Sequence, residues 1–136
     1  MTTTTAQVCA PCASLDKDAL LSIGQVQAQV SDMPLWSLEE KDGVPCISRR
    51  FTARHFQAGL DALNAIGAIA ERQGHHPDLH LTNYREVTIS LWTHKLGGLT
   101  QNDLTLAQII DAEVDVVYSP KWLKEHPQAQ LLPKEV

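Results

Sequence analysis

Glu71-Arg72-Gln73-Gly74-His75-His76-Pro77-Asp78-Leu79-His80 is the stretch from which the rest of the chain can be read. Upstream of it, Phe56, Leu60, Leu63, Ile66 and Ile69 recur at spacings of three and four, the pattern of a helix with one apolar stripe. Gly74 supplies the left-handed conformation at which such helices commonly end. Downstream the period drops to two. Leu79 and Leu81 share one face of a strand over 79–83, and Val87, Ile89 and Leu91 share one face of a strand over 87–94. Tyr84-Arg85-Glu86 between them is short enough for a hairpin loop. Folding about Arg85 sets Leu81 opposite Ile89 and Leu79 opposite Leu91, and the same register sets His76 beside His94. Two adjacent histidines at a helix end and a third at a strand end are thereby expected to converge.

The same reading extends in both directions. Thr52 is expected to open the long helix, which runs from about Ala53 to Gln73. Before it, Leu35 to Glu39 and Pro45 to Phe51 read as strands joined at Lys41-Asp42-Gly43, a turn with the Asp-Gly signal. Earlier still, Ser14 is placed as the cap of a helix bearing Leu20, Leu21, Val26 and Val30, stopped by Ser31-Asp32-Met33-Pro34. After the second hairpin, Leu96-Gly97-Gly98-Leu99 is a turn. Thr100 and Asp103 have capping-box spacing, and a helix from Leu104 to about Ala112 buries Leu104, Leu106, Ile109 and Ile110. Val114 to Tyr118 is a candidate short further strand. The order α-β-β-α-β-β-α predicts an α+β fold: a four-stranded antiparallel sheet with three helices packed on one face. The opposite sheet face, with Trp92 on it, would lack cover and offers a surface for self-association. The chain divides into an arm at 1–13, one domain at 14–118 and an extension at 119–136 that contains Trp122.

Composition narrows the function classes. With 136 residues the chain suits a single domain, and 43% hydrophobic with 20% charged residues is an ordinary globular balance. A net charge of −5 argues against nucleic acid as a partner. No apolar run approaches a membrane span, and the N-terminus shows no secretory signal, so the expected compartment is cytoplasmic. Three cysteines do not make a disulfide framework. Cys9 and Cys12 have metal or redox spacing but no second pair nearby, and read as loop cysteines.

The chemistry therefore rests on imidazoles. A metal needs three or four ligands around one point, whereas adjacent His75 and His76 point apart on an extended backbone. Acid/base work fits better, since imidazole titrates near neutral pH and neighbouring rings disfavour double protonation. Glu71, one turn before His75, is placed to face it, and Asp103 reads first as a capping residue. His80 alternates to the His76 side of its strand, and His55 and His126 read as surface residues. Neither a phosphate-binding glycine loop nor a serine-nucleophile context is visible.

Glu71-x-x-x-His75-His76-Pro77, then Tyr84, Thr93-His94, Gly98-Leu99 and Asp103, resembles the pterin-4a-carbinolamine dehydratases. The resemblance is close over residues 53 to 112 and looser before them. It implies the fold derived above, in a homodimer or homotetramer. It also implies catalysis by His75, His76 and His94, support from Glu71 and Asp103, and substrate binding by Pro77, Thr93 and His80. Neither metal nor cofactor is implied, the pterin being the substrate. The implied reaction removes water from a 4a-hydroxytetrahydropterin to give the quinonoid dihydropterin, in pterin cofactor recycling. Two features differ from the animal enzymes: one extra residue between Pro77 and His94, and the extension Tyr118 to Pro127. Both resemble a branch from photosynthetic and carbon-fixing lineages, some of whose members assist Rubisco assembly. The alternative expectation is thus a non-catalytic, carboxysome-associated chaperone that binds Rubisco subunits. A third is a protein that associates with transcription factors.

Overall fold

The structure, a computed structural model, describes residues 8–10 and 15–130. In chain order it contains α1 (Ile23–Val30), β1 (Trp36–Lys41), β2 (Val44–Thr52), α2 (Phe56–Gln73), β3 (Asp78–Thr82), β4 (Glu86–Leu91), α3 (Gln101–Glu113) and a short α4 (Pro120–Glu125). Single 3-10 turns lie at Lys17–Ala19 and Pro127–Gln130. The strands form one antiparallel sheet in the order β1-β2-β4-β3. The predicted α-β-β-α-β-β-α order is thus the observed one, with α4 added.

Alternation along the strands sorts the two sheet faces. Ile47, Phe51, Val87, Ile89 and Leu91 join Val26 of α1, Ile66 and Ile69 of α2, and Leu104, Leu106 and Ile110 of α3 in one buried cluster. The opposite face carries polar pairs instead. Ser48 Oγ and Ser90 Oγ lie 3.0 Å apart on neighbouring strands, and Arg50 makes a forked ion pair with Glu39. The β1–β2 turn places Asp42 and Gly43 at φ 53° and 82°, the two left-handed positions of a two-residue hairpin.

Several boundaries differ from the sequence reading, each for a local reason. The expected cap Ser14 lies outside the described residues. Helix α1 starts later, where Ser22 accepts from the Gln25 N–H and Gln25 reaches back to the Ser22 N–H. Helix α2 starts at Phe56 rather than Ala53, because Ala53 is still held at the sheet in a bridge to Tyr118. Its cap is therefore His55, read as a plain surface residue, whose Nδ1 accepts from the Ala58 N–H at 3.1 Å. Phe56 is 51% exposed rather than in the core. The buried face of α2 is Ala58, Gly59, Ala62, Ile66, Ile69 and Ala70, with Leu60 and Leu63 half-buried. The small residues follow from how closely the helix meets the sheet: a Cβ on Gly59 would lie 3.0 Å from Leu81 Cδ1.

The β3–β4 register is also corrected. Leu81 pairs with Val87 and Leu79 with Ile89, two residues away from the expected pairing. The loop is Asn83-Tyr84-Arg85, with Asn83 and Tyr84 both at positive φ, so the chain turns earlier than a turn centred on Arg85 allows. A slip of two leaves every side chain on its face, which is why the apolar stripe survives it. Continued past the ladder, the observed register brings His76 level with Trp92 rather than His94. Strand β4 ends at Leu91, not His94.

Residues 114–118 form no strand beyond the single Tyr118 bridge. The segment after them packs down instead. Tyr118 and Trp122 stack at 4.8 Å, Trp122 and His126 at 4.1 Å, and Phe51 meets Tyr118 edge-on. His126, read as a surface residue, is the half-buried end of that stack. Beneath it lies a charge the periodicity did not reveal. Arg49, 3% exposed on the core side of β2, donates to Asp111 at 2.7 Å and to the Tyr118 hydroxyl at 2.6 Å. Trp36 Nε1 donates to the same carboxylate at 3.0 Å. Burial pushes the Asp111 carboxyl above its usual range, while Arg49 and Trp36 pull it back. Among the described residues, no helix is long and apolar enough to cross a membrane.

Candidate functional site

The site begins with the way α2 stops. Gly74 adopts φ 67° and its N–H reaches the Ala70 and Glu71 carbonyls; the His75 N–H then bonds Ala70 O at 3.2 Å. That left-handed closure turns successive side chains in different directions. His75 goes inward and is 4% exposed, whereas the His76 side chain remains 59% exposed.

His75 Nε2 lies 2.6 Å from Asp103 Oδ1. Asp103 is fully buried, and its other oxygen accepts from the Thr100 N–H at 3.0 Å and the Thr93 hydroxyl at 2.9 Å. One carboxylate therefore closes the start of α3 and clamps an imidazole. Since a carboxylate only accepts, the ring hydrogen sits on Nε2, which fixes the tautomer. Asp103 is thus more than the capping residue its spacing suggested. Thr93 is held in turn by its N–H to Gly98 O at 2.8 Å and by the Thr100 hydroxyl at 2.8 Å.

His76 Nε2 lies 2.7 Å from Glu71 Oε2 at the surface. The expected Glu71–His75 contact is replaced by this one, because the turn at Gly74 carries His75 into the interior. His94 stands on the far side, with its ring 4.2 Å from the Trp92 indole, edge-on at 69°. Its Nε2 is 3.8 Å from Asp78 Oδ1.

Gly74, His75, His76, Trp92, Thr93, His94 and Lys95 line one cavity of about 260 Å³. The structure therefore brings His75, His76, His94 and Thr93 together, with Asp103 and Glu71 each behind a histidine. It does not bring the other two expected substrate contacts there. Pro77 is half-buried outside the lining. His80 is exposed on the outer face of β3, paired with Thr88, because strand alternation sets it beside Asp78 and Thr82. Sequence reasoning missed Trp92, Lys95 and Asp78. The first was assigned to the uncovered sheet face by parity, and it does share that face with Asp78 and Ser90; what the parity did not show is that this position, one residue past the end of β4, also borders the histidine cavity. The run Trp92-Thr93-His94-Lys95 at a strand end was the signal available. A larger cavity of about 360 Å³ lies between Met33 and Ala112; its titratable groups are Asp32 and Asp111, and the latter is already engaged by Arg49 and Trp36. Among the described residues, no three His, Cys, Asp or Glu side chains group as metal ligands.

Fold and cleft define a class: an α+β domain that gathers three imidazoles, two of them backed by carboxylates, around one cavity. Residues 19–113 match the family described as pterin 4 alpha carbinolamine dehydratase. A Chlorobaculum tepidum protein named "Putative pterin-4-alpha-carbinolamine dehydratase" is 40% identical over 99 residues, spanning 73% of this chain and 86% of that one. The chain belongs to the pterin-4-alpha-carbinolamine dehydratase family. Among solved structures, a transcriptional coactivator/pterin dehydratase from Brucella melitensis superposes with a TM-score of 0.61 at 24% identity, over 71% of this chain and 99% of that one, a likeness of fold. A pterin dehydratase-like protein described as a RuBisCO assembly factor in the alpha-carboxysome aligns at 26% identity over 57% of this chain and 86% of that one, with a TM-score of 0.46.

Proposed function

We propose that the protein dehydrates a 4a-hydroxytetrahydropterin to the quinonoid dihydropterin by histidine acid/base catalysis, without metal or cofactor. The observation that supports this reading most directly is the meeting of His75, His76 and His94 around one cavity. The reaction breaks the C4a–O bond. The hydroxyl must take up a proton to leave as water, and a ring N–H must give one up, so the sum releases water alone. Groups that exchange protons near neutral pH, placed around the ring, suit both transfers. His75 has Asp103 against its Nε2 and His76 has Glu71 against its own, so two of the three rings are oriented by a carboxylate.

Purified protein mixed with freshly generated carbinolamine is expected to speed its loss, followed by ultraviolet absorbance, and His76→Ala to abolish most of that acceleration. Turnover no faster than the buffer reaction would overturn the reading. We expect a homodimer or homotetramer, which sedimentation would report.

A second reading is a Rubisco assembly chaperone without turnover. It rests on α4 and the Tyr118–Trp122–His126 stack, all of which lies beyond the family-matched residues and adds surface to the domain. Capture of Rubisco subunits by a protein inert toward the carbinolamine, lost on Trp122→Ala, would select it.

A further inference from the structure

We propose that Asp78 and Trp92 are positioning residues for His94, with Trp92 as the brace and Asp78 as its anchor. This rests on the dehydratase reading for its kinetic consequence, but not for its geometry.

The three cavity histidines are held in different ways. His75 and His76 each have a carboxylate oxygen at hydrogen-bond distance, 2.6 and 2.7 Å. His94 has none: the nearest, Asp78 Oδ1, is 3.8 Å from its Nε2, beyond a hydrogen bond. What fixes its ring is the edge-on contact with the Trp92 indole at 4.2 Å. That indole is tied by its N–H to Asp78 Oδ2 at 3.2 Å. Asp78 pairs with Ser90 across the sheet, so Trp92 stands one same-face step further along, the diagonal position from which a long side chain reaches back.

The indole needs this anchor because it has space on both sides. It lines the histidine cavity, and it also lines a second cavity of about 130 Å³ with Lys41, Asp42, Val44, Cys46 and Asp78. Without the bond to Asp78 the indole is free to swing toward that second space, and His94 loses its support. The Asp78 carboxylate is divided between the two rings, one oxygen on the indole and the other facing the imidazole. When His94 carries a proton, a small ring rotation would shorten the 3.8 Å gap to a charge-assisted bond. The other charged or titratable groups around His94 are Lys95 beside it, His75 and His76 across the cavity, and Glu71 behind His76.

Two measurements on the full chain test this. In the first, the His94 ring carbon–proton signal, assigned by its loss in His94→Gln, and the Trp92 indole N–H signal are followed by NMR. Asp78→Ala is expected to shift both, Trp92→Ala to shift the His94 signal, and Trp92→Phe to restore most of it, since phenyl keeps the edge-on contact. In the second, Asp78→Ala is expected to lower kcat about 10- to 100-fold with KM within about 2-fold, as misplacing a reacting group does. An unmoved His94 signal in both Asp78→Ala and Trp92→Ala would overturn the proposal even in a protein with no turnover. Moved signals with no turnover would uphold the positioning and count only against the dehydratase reading. A rise in KM with kcat unchanged would make Asp78 a binding group instead and also overturn it.

Discussion

His75 and His76 are joined by one peptide bond and occupy opposite surroundings. The first is buried against a fully buried aspartate; the second is mostly in water against an exposed glutamate. Their separations are nearly equal, 2.6 and 2.7 Å, yet the physics of the two pairs differs. A buried pair has shed its water, so removing one partner leaves the other unsatisfied in a low dielectric. An exposed pair exchanges readily with water and is screened by salt. One half of the motif therefore ties the fold to the site, and the other can serve the site with little effect on the fold.

The largest expected effect is at Asp103. Asp103→Ala strands the Thr100 N–H and removes the carboxylate that holds the Thr93 hydroxyl and His75 Nε2. Breaking such a buried arrangement costs about 3–5 kcal/mol. Denaturant melts of the variant should show that loss, and turnover should fall with it. A variant that kept wild-type stability would break the distinction between the two histidines at its root.

His76→Ala is the mirror experiment. The ring is largely exposed, so stability should stay within about 0.5 kcal/mol. Loss of a proton-transfer group should cost about 10²- to 10⁴-fold in kcat. Equal losses of stability and rate here would mean that His76 is structural after all.

How much of this contrast the sequence carried depends on which residue is asked. The period change at Gly74 announces the helix end and the hairpin, because burial of one face is written locally into spacing. The convergence of His75, His76 and His94 was also legible, even though the register used to derive it was off by two. An even slip preserves faces, and the histidines meet through the Gly74 closure and the Thr93–Gly98 turn rather than through the ladder. The partner of each histidine was not legible, because a left-handed residue decides it: Gly74 rotates His75 to Asp103, 28 positions away, and gives Glu71 to His76. Arg49 was hidden for a related reason. An arginine in a strand reads as solvent-facing until a distant aspartate, tryptophan and tyrosine are known to meet it.

Arg49 sharpens the comparison, because it is as buried as His75 but faces no histidine cavity. Arg49→Met should lower stability by about 3 kcal/mol at neutral pH while turnover at low temperature survives. Its pH dependence has a definite sign. Burial already pushes Asp111 up, and Arg49 is the main opposing influence. In the variant the folded chain holds that proton to higher pH than the unfolded chain, whose value is about 3.9. The folded state then binds more protons across the window that starts there and extends upward, so stability falls as pH rises through it. Because Asp111 is already raised in the wild-type fold, melts of Arg49→Met should show its deficit growing as pH rises above that wild-type value toward neutrality, and a deficit flat with pH would show Asp111 satisfied without the arginine.

The smallest effect is expected at Glu71, and it separates two things a carboxylate does for a neighbouring imidazole. Glu71→Gln keeps an oxygen that can accept from His76 Nε2 and removes the charge. Since exposed pairs contribute about 0–1 kcal/mol, stability should barely move. If the charge is what favours a protonated His76 during turnover, kcat should drop a few-fold at low salt. The gap from wild type should then close as ionic strength approaches 1 M, where screening acts within about 3 Å. If only the hydrogen bond matters, the two proteins should match at every salt concentration. A drop that ignored salt would instead mean that substrate closes the cavity over Glu71 and excludes the screening ions. The exposed half of the motif would then become as dry as the buried half during turnover.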